Sequence, residues 1–219
     1  MFENPKASLP FSRDRTIQAD DLIPQIGFIG DDYKFGGLVI VGINPGNGDR
    51  HMRDVWDERM MPVLHAFSQR PDDEEAYKKA MEAQLQGFRG WSSTQELRTS
   101  LAFLRVPADS VAYTNANTYR AGKGKAEDVF PNNSRKHLSA EYWLGPWLKA
   151  VQPPGVVVAF GRIVAEVIRL ADPEIKPVIF SRDRVEPKRK QENADFVSRL
   201  REALRAAKAQ TQGPKAESF

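Results

Sequence analysis

The run Leu38-Val39-Ile40-Val41-Gly42-Ile43 constrains this chain more than any other segment. It is short, rich in β-branched residues and apolar on both faces, so both faces must be covered. Strands of that kind belong in the middle of parallel sheets, where crossover connections lay helices over each side. Gly155-Val156-Val157-Val158-Ala159-Phe160 repeats the pattern. Ser110-Val111-Ala112-Tyr113-Thr114, ending at Asn115, and Pro177-Val178-Ile179-Phe180 read as two more strands. Helical spacing fills the intervals. It runs over about 53–67, with Val55, Met60, Val63, Leu64 and Phe67, and over 94–104, with Thr94 as cap and Leu97, Leu101 and Leu104 on one face. It returns at 139–151, where Gly145-Pro146 predicts a break, at 163–170, and at 193–207, with Phe196, Val197, Leu200 and Leu204 inward. Asp72-Asp73-Glu74-Glu75 suits the solvated first turn of a further helix, where acids complement the dipole. Strands alternating with helices predict a three-layer α/β/α sandwich with a mostly parallel central sheet.

One such domain accounts for a chain of 219 residues, and residues 36–208 carry its pattern. Residues 1–35, punctuated by Pro5, Pro10, Pro24, Gly27 and Gly30, read as an irregular extension that wraps over the domain rather than starting its sheet. Residues 209–219 read as a flexible tail. The absence of cysteine removes disulfide scaffolds, thiolate zinc sites, iron–sulfur clusters and cysteine nucleophiles together. No stretch reaches the roughly 18 apolar residues of a membrane span. The opening Met1-Phe2-Glu3-Asn4-Pro5-Lys6 holds no apolar signal region, so a cytoplasmic location is expected. No metal-ligand spacing, Ser-His-Asp set or glycine-rich phosphate loop occurs. The charge balance of 32 basic against 29 acidic residues permits contact with nucleic acid without demanding it.

Function is therefore sought where the strands end, the place where open parallel sheets bind ligands. Four loops qualify: 44–52, 115–125, 161–162 and 181–190. Gly42-Ile43-Asn44-Pro45-Gly46 follows directly on the first buried strand. Asn44 presents an amide there, which takes up no proton near neutral pH; it orients a water or a base edge, or else satisfies its own turn. Residues 119–136 carry Arg120, Lys123, Lys125, Arg135 and Lys136, and residues 182–190 carry Arg182, Arg184, Lys188, Arg189 and Lys190 against Asp183 and Glu186. Both segments follow strands, so they either flank one phosphate-tracking groove or are two solvated loops. Gly161-Arg162, at a strand–helix junction, either receives a phosphate on a helix N-terminus or simply turns the chain. Of the histidines, His51 lies just past the first loop, His65 reads as a structural helix residue and His137 as a helix cap. Trp143 and Trp147, four apart, read as core or cover.

The strand with Gly42-Ile43-Asn44-Pro45-Gly46 resembles the first motif of the uracil-DNA glycosylase superfamily, in the version of its mismatch-specific uracil/thymine glycosylases. Two further segments agree in order: Val111 to Arg120, with Asn115 and Asn117, and Trp147 to Arg162, a helix–Pro–strand–Gly-Arg segment. The resemblance covers about residues 36–185. It implies a DNA-repair hydrolase that flips uracil or a related damaged base out of DNA and cuts its N-glycosidic bond without metal or cofactor. On that resemblance Asn44 orients the attacking water, and Gly42, Ile43, Pro45 and Gly46 shape the base pocket. Asn115 hydrogen-bonds the base, and Trp56 or, less conventionally, His51 stacks on it. DNA contacts fall to Arg120, Lys123, Lys125, Arg162, Arg182 and Arg184. The sequence departs from the family after the last strand. There a His-Pro-Ser or Asn-Pro-Ser type motif is replaced by Phe180-Ser181-Arg182-Asp183-Arg184-Val185-Glu186-Pro187, leaving Ser181 or Arg182 to support the departing base. Three functions stay open: the glycosylase, a catalytically weak or inactive member of the fold that binds nucleic acid or a nucleobase, and an unrelated α/β enzyme with a nucleotide-like small substrate.

Overall fold

The computed structural model describes residues 23–34, 36–43, 55–91, 94–118, 129–130, 132–151, 155–180 and 188–211. Strands β1 (Phe28–Ile29), β2 (Leu38–Gly42), β3 (Val111–Asn115), β4 (Val156–Phe160) and β5 (Val178–Phe180) form one sheet in the order β1-β3-β2-β4-β5. The four strands β2 to β5 are mutually parallel, and β1 runs antiparallel to β3. The helices are α1 (Val55–Gln69), α2 (Glu74–Gly90), α3 (Gln95–Phe103), α4 (Asn133–Ser139), α5 (Gly145–Ala150), α6 (Arg162–Ala171) and α7 (Lys188–Thr211).

The period of two along β2 divides the core. Leu38 and Ile40 join one apolar cluster with Leu64 of α1, Phe88 of α2, Leu97 of α3 and Phe196 of α7. Val39 and Val41 point the other way, to Leu144, Leu148 of α5 and Val164 and Ile168 of α6. Each side chain buried this completely contributes about 1.5–3 kcal/mol. Helices therefore cover both faces, and the chain is an α/β sandwich around a mostly parallel sheet.

Several sequence expectations change. Residues 28–29 do start the sheet: Phe28 pairs with Tyr113 and Ile29 with Ala112 at its edge. A two-residue strand has too little pattern to show in sequence, and the chain reaches it through Gly27, whose φ of 85° is open to glycine. Asp73 caps α2 as the acids suggested. Its carboxylate accepts from the Glu75 and Ala76 amides, and the Ala76 bond leads the causes that hold its pKa below the usual value. Thr94 does not cap α3. Its hydroxyl donates to the Phe88 carbonyl at 2.8 Å, with the Trp91 carbonyl 3.0 Å away. The break expected at Gly145-Pro146 is absorbed by a π-helical turn, Ala140–Leu144, whose wider ring lets the Gly145 amide reach the Ala140 carbonyl. Helix α4 begins inside the basic segment 119–136. Asn132, not His137, caps it by accepting from the Arg135 amide, and Lys136 pairs with Glu166 at 2.5 Å. His65 lies in helix α1 as expected, and is exposed.

Candidate functional site

All four parallel strands end at one edge. From β2 the chain moves to β3 on one side, and from β4 to β5 on the other, so the strand order reverses between β2 and β4. Such a switch point opens a crevice beyond the carboxyl ends of the two strands. The residues that frame it are Gly42 at the end of β2 and Ile43 after it, Asn115 at the end of β3, and Gly161 and Arg162 after β4.

The register places Gly42 opposite Asn115. Pairing continues past the strands: the Ala116 amide donates to the Gly42 carbonyl at 2.8 Å, and the Asn117 amide to the Ile43 carbonyl at 2.9 Å. Asn115 is 1% exposed, and its Oδ1 accepts from the Tyr113 hydroxyl at 2.9 Å. No partner for its Nδ2 exists among the described residues. A Cβ at position 42 would stand 2.3 Å from Asn115 Oδ1 and 2.7 Å from the Tyr113 hydroxyl, so the glycine is what lets this carboxamide lie across the end of β2.

The backbone behind Asn115 is fixed from the second helical layer. Trp143 Nε1 donates to the Asn115 carbonyl at 3.0 Å, and the Ser139 hydroxyl donates to the Ala116 carbonyl. Trp143 and Ile43 each pack against both apolar clusters, which places them where the two cores meet at this edge. At the end of β4, Gly161 has φ 88°, and its amide donates to the Phe180 carbonyl at 3.0 Å, binding the β4 and β5 ends together. Arg162 opens α6 and is exposed, and no side chain caps that helix. Gln25 completes the frame beyond β3. Its amide donates to the Thr118 carbonyl at 2.8 Å, and its side chain, 1% exposed, has no partner for either Oε1 or Nε2 among the described residues.

Of the residues singled out in sequence, the fold gathers Gly42, Ile43, Asn115 and Arg162 at this edge. Asn44, Pro45, Gly46, His51, Arg120, Lys123, Lys125, Ser181, Arg182 and Arg184 lie outside the described residues. Trp56 is the second residue of α1, and its side chain lies outside the description as well. The chain leaves β3 and β5 at the same edge, on either side of the switch point, so both basic segments continue from it. Gln25, Tyr113, Ser139 and Trp143 carried no local signal for a role here. The contacts of Gln25, Ser139 and Trp143 with the edge reach across the fold or between the layers, while Tyr113 meets Asn115 two residues along the same face of β3. Among the described residues no cluster of His, Asp and Glu is arranged to hold a metal ion, and no helix is long and apolar enough to cross a membrane. No protein-family model matches the chain, and no curated protein matches it.

Proposed function

We propose that the protein is a DNA glycosylase-like hydrolase that removes uracil or a related base, with its site at the carboxyl edge of β2, β3 and β4. The observation that carries this reading is the Asn115 carboxamide, buried across from Gly42 beside the switch point, with Oδ1 bonded to Tyr113 and no partner for Nδ2 among the described residues. A carboxamide oxygen has two lone pairs, and Tyr113 takes one. What remains is an N–H donor beside an acceptor, the complement of the O4 and N3–H edge of uracil. Asn44, two residues past Gly42 in the chain, is the candidate to orient water. Breaking an N-glycosidic bond leaves charge on the departing base, so fixed amide donors serve the reaction better than a strong base does. Extruding the base from a duplex costs a few kcal/mol, which phosphate contacts from the segments carrying Arg120, Lys123, Lys125, Arg182 and Arg184, and from Arg162, would offset.

Missing the His-Pro-Ser type motif after β5 favours a second reading, in which the same edge binds a nucleobase or nucleic acid without cutting. One assay separates the two. Duplex and single-stranded oligonucleotides holding uracil, hypoxanthine or mismatched thymine are incubated with the protein and treated with alkali. Strand cleavage at one of these bases, lowered about a hundredfold or more by Asn44→Ala, is the expected result. Salt-sensitive binding without cleavage supports the binding reading, and neither binding nor cleavage removes both.

A further inference from the structure

The opposite edge of the sheet carries a second concavity. Between α3 and β3 the chain turns through Arg105, Val106 and Pro107, and a cavity of about 510 Å³ opens between this turn, the end of α2 and the side of α3. The turn precedes the amino end of β3, so five strand residues separate it from the Asn115 edge, a span of about 16 Å. The floor is apolar, with Phe88, Leu101 and Val106, and Arg89, Arg98 and Arg105 form the polar part of the lining. An apolar hollow of this volume with a few convergent charged groups is the usual form of a small-molecule site.

The three guanidinium groups are not equivalent. Arg89 is matched by Asp109. Arg98 is half-buried. Its Nε donates to Thr94 Oγ1 and its Nη2 to the Trp91 carbonyl, both at 3.2 Å; these contacts fix the group and supply no negative charge. Arg105 is exposed at the rim. Neither Arg98 nor Arg105 has a carboxylate partner among the described residues.

Arg105 is also the one non-glycine residue with positive φ, 56°, among those described. It ends α3 in a left-handed turn: its own amide donates to the Ala102 carbonyl at 3.0 Å and the Val106 amide to the Leu101 carbonyl at 2.9 Å. Glycine is the preferred residue at that position, and a bulky side chain there is strained. The strain sets a guanidinium at the mouth of an apolar hollow that already holds a second unmatched one.

We propose that this cavity binds a small organic anion, a carboxylate on an apolar body, with the body against Ala102, Val106 and Pro107 and the carboxylate on Arg98 and Arg105. Planar guanidinium forks match carboxylates in paired hydrogen bonds, and the half-buried position of Arg98 strengthens such a bond over its value in water. The site is separate from the glycosylase reading and stands or falls without it.

The test is a titration of the full ¹⁵N-labelled chain with 4-phenylbutyrate, followed by amide NMR shifts, beside the uncharged 4-phenylbutan-1-ol. Saturable shifts at residues 98–108 with the acid, and affinity for the alcohol lower by about tenfold or more, are expected. Arg105→Gly should weaken the acid by a similar factor. Glycine accepts this backbone conformation, so the variant keeps the fold. Arg98→Gln should do the same, and Arg169→Gln, on the far helical layer, should change nothing. Equal affinity for acid and alcohol, undiminished binding by Arg105→Gly, or no saturable shift at these amides would overturn the proposal.

Discussion

Gln84 and Gln25 are both buried glutamines, and they meet the same short stretch of chain, yet the fold treats them oppositely. Gln84, 2% exposed, is paired at both ends of its amide. Oε1 accepts from the Gly27 amide at 2.8 Å, and Nε2 donates to the Gly27 carbonyl at 2.9 Å and the Ala80 carbonyl at 3.1 Å. Gln25, two residues before that glycine and 1% exposed, is paired at neither among the described residues. Asn115 stands between them, with Oδ1 bonded to Tyr113 and Nδ2 free of any partner among the described residues. The first amide does a strand's work. Gly27 precedes β1 at positive φ, with its Cβ position 2.0 Å from the Tyr113 carbonyl, and its backbone groups take the side chain of α2 as partner. A buried polar atom without a partner costs about 1–3 kcal/mol. Apart from Trp91 Nε1, the fully buried side-chain orphans among the described residues belong to Gln25, at the carboxyl edge beside Asn115. Among the described residues the paired Gln84 amide builds the fold, and the incompletely paired Gln25 and Asn115 lie toward the carboxyl end of β3.

The contrast breaks most visibly at Gln84. Gln84→Leu keeps an apolar body of similar size but leaves the Gly27 N–H and C=O both unmatched. A loss of about 3 kcal/mol or more in urea unfolding is expected, since each abandoned buried group carries its own desolvation cost. A loss below about 1 kcal/mol would show that water or backbone rearrangement satisfies Gly27, and Gln84 would no longer differ in kind from Gln25. Tyr113→Phe tests the middle case. It turns Asn115 from half-paired to unpaired, while the ring contacts to Phe28 at 5.6 Å and Phe88 at 5.3 Å are kept. A loss of about 1–2 kcal/mol, measured the same way, puts Asn115 between the two glutamines.

What the sequence made legible follows the same division. The parallel strands were readable because their signal is local: apolar β-branched residues at 38–42 and 156–160 admit few other environments. Gly42 and Asn115 were readable as strand ends, and the α2 cap at Asp73 as an acidic first turn. The bond from Gln84 to Gly27 spans 57 residues, and that from Trp143 to Asn115 spans 28. No periodicity encodes such pairings. Trp143 and Trp147 showed only helical spacing, yet Trp143 holds the backbone of a candidate site residue with its indole N–H. Thr94 misled because a threonine before an apolar helix reads as a cap whichever way its hydroxyl turns, and here it turns back to the carbonyls of Phe88 and Trp91. At 145–146 the composition marks a fault in the helix. The form of the fault, a widened turn instead of a break, depends on the packing of Ala140 and Leu144 into the second core.

Gln25→Met gives the smallest effect and sharpens the comparison furthest. Methionine matches the length of glutamine and removes the two unpaired polar atoms without opening a large cavity. With no bond to lose and a desolvation cost relieved, unfolding free energy should stay level or rise by up to about 1–2 kcal/mol, the opposite sign from Gln84→Leu. If the Gln25 amide is kept for a ligand at the Asn115 edge, base excision or nucleobase binding should fall in the same variant, because gains in stability at a site residue are commonly offset by loss of function. Destabilisation would instead mean that Gln25 is paired in solution. It would then join Gln84 as part of the scaffold, and of the three amides compared only Asn115 would be incompletely paired among the described residues.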